Sequence, residues 1–370
     1  ILKNISVGPK LFFGGVTLKS ALGRVPDDFV FRMADTDPDD QAAILFTSGS
    51  TGVPKGAVYS HGNFIAQVDE IKRTYDIKPG EIDLPTFPLF ALFDPALGMS
   101  TVIPFMDATK PAKVNPENIV GPIKEFNVTN MFGSPALLNR VSRYGEEHGV
   151  QLPTLKRVIS AGAPASPIVL KRFSTMLDDG GAIYTPYGAT ESLPVSSISS
   201  IEILSDTAEK TNSGMGVCVG RPVPSVEVDV IPISDDVIGD WQECSSQPIW
   251  EVGEIVVKGP QVTTSYYNRP ESTRLAKIQD GNSVRHRMGD LGYFDADGRL
   301  WFCGRKAHRV ETDNGPLYPV PVEGVFNVHP KVFRTALVGI KEAGEVKPVV
   351  CVELEPGMQK IDETELFDEL

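Results

Sequence analysis

The sequence predicts an α/β fold with a largely parallel β-sheet, followed by a region in which β-strands dominate. Two observations support this prediction. Short apolar runs at 128–132 and 155–160 are each followed by a loop and by residues with helical spacing, 133–149 and 161–177. After about Asp178, alternating apolar residues and turn pairs become frequent. Repeated β–loop–α units place helices on the faces of a parallel sheet, and ligands bind at the carboxyl ends of its strands.

The first predicted unit consists of a strand, a loop and a helix. Residues 41–46 (QAAILF) form the predicted strand, and a loop rich in glycine follows them. Apolar side chains recur at helical spacing from Phe64 to Tyr75, and Ser60 is a suitable residue for the helix N-terminus. The glycine-rich loop is therefore expected at the end of a strand.

Three parts are expected along the chain. Residues 1–209 should form the α/β part of a large domain, and 210–303 its β-rich subdomain. Residues 304–370 should begin a small α+β domain, with a helix and then a strand in 322–340. Because the chain starts without methionine and 363–370 has the pattern of a helix cut short, we expect the fold to be incomplete at both ends.

The composition argues against several classes of protein. A general nucleic-acid surface would need a basic face, whereas the net charge is −13. The four cysteines form no CxxC pair, which excludes zinc ribbons and redox pairs and fits a cytoplasmic location. Residues 84–106 are apolar with one charge, but their prolines would break a membrane-spanning helix. We expect no integral membrane span, and interpret this stretch as buried core or the wall of an apolar pocket.

The loop 47–56 (TSGSTGVPKG) combines glycine, serine and threonine with one lysine, Lys55. Glycine leaves backbone N–H groups accessible, and consecutive amides with hydroxyls and a cation suit a phosphate. A Walker A motif is excluded because Pro54 and Gly56 flank Lys55 where glycine and Ser or Thr are required. The alternative is a flexible surface loop, which Pro54 and the preceding apolar strand disfavour.

Six segments, in order, resemble the motifs of the adenylate-forming superfamily of acyl-CoA synthetases, luciferases and peptide-synthetase adenylation domains. The loop 47–56 resembles the superfamily's phosphate loop, and 184–192 (YTPYGATES) resembles its aromatic-Gly-x-Thr-Glu motif. The four other segments are 160–166, 253–273, 288–305 and 315–330. On this ordered set, the sequence is identified as a member of the superfamily.

The resemblance implies ATP as a substrate and Mg²⁺ as a cofactor. Tyr187 is expected to lie flat against adenine, Asp290 to accept both ribose hydroxyls and Arg305 to donate to ribose or phosphates. The implied ATP- or AMP-binding residues are Thr47, Ser48, Gly49, Ser50, Thr51, Gly52, Lys55, Gly162, Ala163, Pro164, Tyr187, Gly188, Thr190, Asp290 and Arg305.

Three residues are implied to be catalytic: Lys55, Thr190 and Glu191. Glu191 is expected to bind Mg²⁺, which prefers oxygen ligands. Thr190 should contact the α-phosphate, and Lys55 should neutralise the charge of departing pyrophosphate. The implied reaction is attack of a carboxylate on the α-phosphorus of ATP, giving an acyl-adenylate and pyrophosphate.

The sequence departs from the superfamily's pattern at three places. Ala91 stands where histidine or an aromatic residue is usual, which leaves room for a bulkier acyl group. Ala307 stands where the hinge usually has an acidic residue or lysine, and no PRTxxGK-type motif with a catalytic lysine follows. The acyl pocket is expected to be formed by Phe90, Ala91, Leu92, Phe93 and Phe132.

Ala91, Ala307 and the run 87–119 resemble one subgroup, the β-lactone synthetases of bacterial long-chain olefin biosynthesis. The resemblance implies a long-chain 2-alkyl-3-hydroxy acid as substrate, whose own hydroxyl displaces AMP and closes a β-lactone. It also implies other olefin-pathway enzymes as partners. The location is expected to be cytoplasmic, with the enzyme free, peripheral to a membrane or part of a multi-enzyme assembly.

Three alternatives remain open on the sequence alone. The first is a long-chain fatty-acyl-CoA or fatty-acyl-AMP ligase. The second is a peptide-synthetase adenylation domain, although the apolar segment shows no obvious aspartate to pair an α-amine. The third is a nucleotide-binding protein without catalysis, which the missing lysine motif suggests.

Overall fold

The computed structural model describes residues 4–8, 14–47, 53–342, 344–355 and 357. The chain divides into two compact units, residues 1–37 and 38–370. In the first unit, two short parallel strands precede a helix whose first turn is capped by the Thr17 hydroxyl. The second unit holds all the remaining elements.

The elements, numbered in chain order, are as follows. The helices are α1 Leu18–Leu22, α2 His61–Thr74, α3 Asp94–Leu97, α4 Glu117–Phe126, α5 Pro135–His148, α6 Pro167–Ser174, α7 Ser200–Glu202, α8 Ala208–Lys210, α9 Pro270–Ala276 and α10 Pro319–Phe326. The strands are β1 Ile5–Ser6, β2 Val16–Thr17, β3 Gln41–Phe46, β4 Gly56–Ser60, β5 Ile82–Pro85, β6 Ser100–Thr101, β7 Asn130–Phe132, β8 Arg157–Ile159, β9 Ala182–Ala189, β10 Ser192–Ser199, β11 Val217–Pro222, β12 Glu227–Ile231, β13 Gly253–Lys258, β14 Lys277–Asp280, β15 Ser283–Phe294, β16 Leu300–Arg305, β17 Val310–Thr312, β18 Gly315–Leu317, β19 Val332–Glu342 and β20 Glu345–Leu354.

One twelve-stranded sheet dominates the second unit. Its path runs β12-β13-β15-β16-β11-β10-β9-β8-β7-β5-β6, with β14 paired to β15. The strands from β6 to β9 are parallel, whereas those from β9 to β12 along the path are antiparallel. The sheet confirms the predicted α/β class, and its parallel half brings the carboxyl ends of β5, β7, β8 and β9 to one edge.

Side chains on the parallel strands alternate between two apolar clusters. Met131 and Val158 are fully buried in the cluster formed with α4, α5 and α6. The residues next to them in the strands face the other way. Ile159, for example, packs with Tyr75, which follows α2, and with Leu97 of α3. This period of two is what a strand covered on both faces requires.

The predicted first unit was wrong in one respect. Residues 41–46 do form a strand, and α2 does begin after Ser60, whose hydroxyl accepts from the Asn63 backbone N–H at 3.2 Å. However, a second strand, β4, lies between the loop and the helix and pairs antiparallel with β3 in a sheet of its own. The alternation of buried Ala57 and Tyr59 with the less buried Val58 supports this strand.

The β-rich region and the elements after it agree with the predicted pattern. Strands β11 to β16 are the main elements of 210–303, and 322–340 contains the end of α10 followed by β19. The large sheet runs without a break across the expected boundary at 209/210, and β16 spans that at 303/304. These domain boundaries stay predictions. The helix predicted for 363–370 lies outside the described residues.

The apolar stretch 84–106 is folded into short elements rather than one long helix. It contains the end of β5, a 3₁₀-helix at Phe90–Leu92, α3 and β6. Across the described ranges, every helix is too short or too polar to cross a membrane.

Candidate nucleotide and acyl site

A cleft of about 800 Å³, called the larger cleft below, opens beside the carboxyl ends of the parallel strands. Thr86 follows β5, Gly162 lies in the loop after β8, and Gly188 to Glu191 lie where β9 turns into β10. The opposite side comes from β15 and β16, including His286 and Arg305. The cleft is therefore where a ligand of a parallel sheet is expected.

The two ends of the predicted phosphate loop meet at this cleft. The Thr47 backbone N–H donates to the Lys55 carbonyl at 2.9 Å, and the Lys55 backbone N–H donates to Thr47 Oγ1 at 3.2 Å. Both residues line the cleft, and Lys55 Nζ lies 5.2 Å from the centre of the Tyr266 ring. Ser48, Gly49, Ser50, Thr51 and Gly52 lie outside the described residues.

Thr190 and Glu191 line the same cleft and are held from several directions. The Tyr59 hydroxyl of β4 donates to the Thr190 carbonyl, and the Thr263 backbone N–H donates to the Glu191 carbonyl at 2.9 Å. The Tyr266 hydroxyl donates to Glu191 Oε1. Burial, and then the charge of Glu191, raise the pKa of Tyr266, so this phenol stays a donor. The Glu191 carboxylate is thus held in place by contacts within the protein.

Sequence reasoning missed two titratable residues near Glu191. Lys277 is buried, and its Nζ donates to the Thr263 carbonyl. Burial lowers the pKa of Lys277 to about 7, although the negative charge of Glu191 acts to raise it. His286 lines the larger cleft, and burial lowers its pKa well below the ordinary value. The one sequence feature that could have indicated a buried lysine was the position of Lys277 between apolar Ala276 and Ile278 in a strand-like run.

Tyr187 and Arg305 both bind Asp290. The Tyr187 hydroxyl donates to Asp290 Oδ2 at 2.7 Å, and Arg305 donates from a guanidinium N–H to Asp290 Oδ1 at 2.6 Å. Burial raises the pKa of Asp290, whereas Arg305 and Tyr187 act to lower it. Arg305 lines the larger cleft, but Tyr187 and Asp290 are not among its lining residues. Their contacts with adenine and ribose stay predictions.

Arg305 carries a hydrogen-bond donor that suits a bound anion. Its Nε is buried and has no hydrogen-bond partner among the described residues, although the side chain lines the larger cleft. A buried donor without an acceptor is costly. An oxygen of ribose or phosphate in the cleft would satisfy it, so the site fits an anionic nucleotide.

Of the three residues predicted to border adenine, Gly162, Ala163 and Pro164, one lines the cleft. Gly162, with a positive φ of 96°, lines the larger cleft, as does Gly188. Ala163 and Pro164 are exposed and do not line it. The positive φ at Gly162 turns the chain away from the strand end, which explains why the next two residues leave the wall.

A smaller apolar cavity of about 60 Å³ adjoins the larger cleft. The two share five lining residues: Phe90, Phe132, Ala161, Pro186 and Leu193. The rings of Phe90 and Phe132 are stacked, with their centres 3.7 Å apart. These two residues therefore occupy the place expected for an acyl pocket.

The other predicted acyl-pocket residues divide between two faces of the 3₁₀-helix. Phe93 lines the smaller cavity, whereas Ala91 and Leu92 line neither the cavity nor the cleft. Leu92 is 72% exposed. A 3₁₀-helix has three residues per turn, so Phe90 and Phe93 share a face and the two residues between them point elsewhere.

The residues present fit a magnesium ion held together with substrate. In the described part of the chain, no three or more His, Cys, Asp or Glu side chains are grouped as metal ligands. Mg²⁺, however, is commonly held by one or two carboxylates with substrate phosphates and waters. The fixed carboxylate of Glu191 beside the predicted phosphate loop meets that requirement.

Comparison with known proteins identifies the family. The sequence profile described as "AMP-binding enzyme" matches residues 16–267, which is more than half of the chain. The chain belongs to the AMP-binding enzyme family. This assignment confirms the predicted membership of the adenylate-forming superfamily and agrees with a nucleotide cleft at the strand ends.

Individual relatives of this AMP-binding enzyme are informative about the subgroup. It is 50% identical over 96% of its length to the olefin beta-lactone synthetase of Xanthomonas campestris pv. campestris, and 50% identical over 95% to that of Stenotrophomonas maltophilia. The chain spans 64% and 63% of the lengths of these two relatives. Its fold resembles O-succinylbenzoate coenzyme A synthetase of Bacillus subtilis, with a TM-score of 0.74 at 24% identity, covering 94% of this chain and 67% of that one.

Proposed function

We propose that this protein is an ATP-dependent β-lactone synthetase that acts on a long-chain 2-alkyl-3-hydroxy acid. The main support is the 50% identity to olefin beta-lactone synthetases along almost the whole chain. The geometry agrees with it, because a polar cleft suited to ATP adjoins an apolar cavity behind Phe90 and Phe132. An acid whose carboxylate lies in the cleft can place the carbons next to that group against the shared wall of Phe90 and Phe132.

In the first step, a carboxylate oxygen of the acid attacks the α-phosphorus of ATP, and pyrophosphate leaves. Thr47 and Lys55 would hold the phosphates, and Thr190 would contact the α-phosphate. Glu191 would hold Mg²⁺, which supplies charge neutralisation when bound. Arg305 would donate its unpartnered Nε–H to the nucleotide. Since these groups are already held in place, their contribution is positioning and electrostatic stabilisation.

In the second step, the substrate's own hydroxyl oxygen attacks the acyl carbon, and AMP leaves. This ring closure needs no external thiol. Ala307, which lines the larger cleft, lacks the polar side chain usual at the hinge position. Association with other olefin-pathway enzymes and a cytoplasmic location are further predictions of this proposal.

The decisive experiment is product analysis by mass spectrometry and NMR. The full-length protein would be given ATP, Mg²⁺ and a 2-alkyl-3-hydroxy acid, with and without coenzyme A. We expect a β-lactone, AMP and pyrophosphate in both cases. A thioester, or turnover that depends on coenzyme A, would instead identify a long-chain acyl-CoA ligase.

A variant of the metal-binding carboxylate separates catalysis from nucleotide binding alone. Glu191→Ala should lower acid-stimulated pyrophosphate release by roughly 100-fold or more. The control is Glu271→Ala, which removes an exposed carboxylate bonded to Arg274. If no acid stimulates release and Glu191→Ala changes nothing, the protein binds nucleotide without this catalysis.

A further inference from the structure

The smaller cavity contains a polar cluster that nothing in the adenylation step uses. Asp83, Asp94 and Asn130 line it among otherwise mostly apolar side chains, and each is 2–3% exposed. Asp83 of β5 lies opposite Asn130 of β7, and Asp94 begins α3. A strand and a helix that follows it closely in the chain therefore bring two carboxyl groups into an apolar space, where burial of such groups is costly.

The two carboxyl groups are bonded to each other rather than to a cation. Their side chains share a hydrogen bond, the Asn130 amide N–H donates to Asp83 Oδ1, and Thr101 Oγ1 donates to Asp94 Oδ2 at 2.6 Å. Within the described ranges, neither carboxylate forms a salt bridge. Burial is the main cause that raises the pKa of both Asp83 and Asp94. A raised pKa favours the protonated form, so such a pair can share a proton and take part in proton transfer.

A separate observation points to a ligand at this cluster. Asn130 lines the cavity, as Asp83 does. Its Oδ1 is buried and has no hydrogen-bond partner among the described residues. The cavity has room for about four to six water-sized groups. A substrate hydroxyl that enters beside Phe90 and Phe132 could donate a hydrogen bond to Asn130 Oδ1.

We propose that Asp83, Asp94 and Asn130 receive the 3-hydroxyl of the substrate, and that the Asp83–Asp94 pair takes its proton during ring closure. This inference rests on the proposed function. In the step, the hydroxyl oxygen forms a bond to the acyl carbon. The bond from that carbon to the AMP oxygen breaks, its electron pair leaves with AMP, and the hydroxyl proton passes to a carboxylate of the pair.

The test separates the two half-reactions in the full-length protein. Acyl-adenylate formation would be followed by pyrophosphate release, and ring closure by lactone and AMP, with a 2-alkyl-3-hydroxy acid as probe. Asp83→Asn and Asp94→Asn keep the shape of the side chains. We expect pyrophosphate release in the first turnover to stay within about twofold, while lactone formation falls roughly 100-fold and acyl-adenylate accumulates.

Two further variants keep the result interpretable. Asn130→Leu removes the unpartnered acceptor without touching either carboxylate, and should slow ring closure about tenfold. Glu70→Gln is the matched control, because Glu70 is a fully buried carboxylate outside both cavities. It should leave the ratio of the two half-reactions unchanged.

Several outcomes would overturn the inference. Equal losses in both half-reactions, or normal lactone formation by the folded aspartate variants, would show that the pair does not accept this proton. Selective loss of ring closure in His286→Gln but not in the aspartate variants would assign the base to the larger cleft. A wild-type protein that forms no lactone would overturn the proposed function as well, which distinguishes the two failures.

Discussion

Two sets of buried carboxylates, one in each half of the large sheet, have different partners, although the parallel half also holds a buried ion pair of Glu81 with Arg157. In the antiparallel half, Glu254 is bonded to Arg287 at 2.6 Å and to Lys306 at 3.0 Å, and Asp290 to Arg305 at 2.6 Å. In the parallel half, Asp83 and Asp94 are bonded to each other. A buried carboxylate beside a cation stays ionised, whereas one beside another carboxylate tends to hold a proton.

The difference separates two kinds of chemistry at one site. The carboxylates bonded to cations beside the larger cleft include Asp290, which fixes Arg305 for a nucleotide. The protonatable pair in the smaller cavity suits proton transfer in an apolar space. Substitutions that remove one member of a bonded pair, in either half of the sheet, test this comparison.

The largest effect is expected where a buried cation is removed. Arg287→Met leaves Glu254, which is 1% exposed, with Lys306 as its remaining cation. The free energy of unfolding should fall by about 3–5 kcal/mol, measured by urea denaturation. Arg274→Met, at an exposed pair with Glu271, is the control and should change it by less than about 1 kcal/mol. Equal effects of both variants would contradict the role of burial.

A smaller effect is expected at Asp290. Asp290→Ala removes the acceptor of both Tyr187 and Arg305, and should weaken ATP binding by about 1–3 kcal/mol in calorimetry. Tyr187→Phe removes one hydrogen bond and keeps the carboxylate, so it should cost about 1 kcal/mol or less. Unaltered ATP affinity in Asp290→Ala would show that this carboxylate does not contribute to the nucleotide site.

The acid pair in the parallel half should make the stability of the fold depend on pH. Because burial raises the pKa of Asp83, the folded state keeps a proton that the unfolded state releases, so stability falls as pH rises above the ordinary pKa of 3.8. Asp83→Asn should reduce this fall by an amount on the order of 1 kcal/mol between roughly pH 5 and pH 8. Identical urea midpoints at both pH values in the two proteins would rule it out.

The smallest effect is expected at Ala91. Because Ala91 lines neither the cleft nor the cavity, Ala91→His should change stability by less than about 0.5 kcal/mol and leave lactone formation nearly unchanged. Phe90→Ala, on the face that does line both, is the comparison and should alter the preference for the 2-alkyl group. A large loss with a branched acid in Ala91→His would place that side chain against the substrate.

The sequence by itself determined the local elements and the superfamily. The patterns at 128–177 were sufficient to predict β7, α5, β8 and α6, because strand and helix periods and the serine cap of α5 are local properties. The ordered motifs were sufficient to place Lys55, Thr190, Glu191 and Arg305 at one cleft, since short segments with fixed spacing specify them.

Tertiary structure decided which residues are in contact and which are not. The strand β4 and its pairing with β3 were not predicted, because Gly56–Ser60 is too short for a period to be recognised. The pairing of Asp83 with Asp94 depends on β5 and α3 packing together, and the separation of Phe90 from Ala91 depends on a 3₁₀ turn. Such contacts arise from how short segments turn and pack against one another, which the pattern of residues within each segment does not encode.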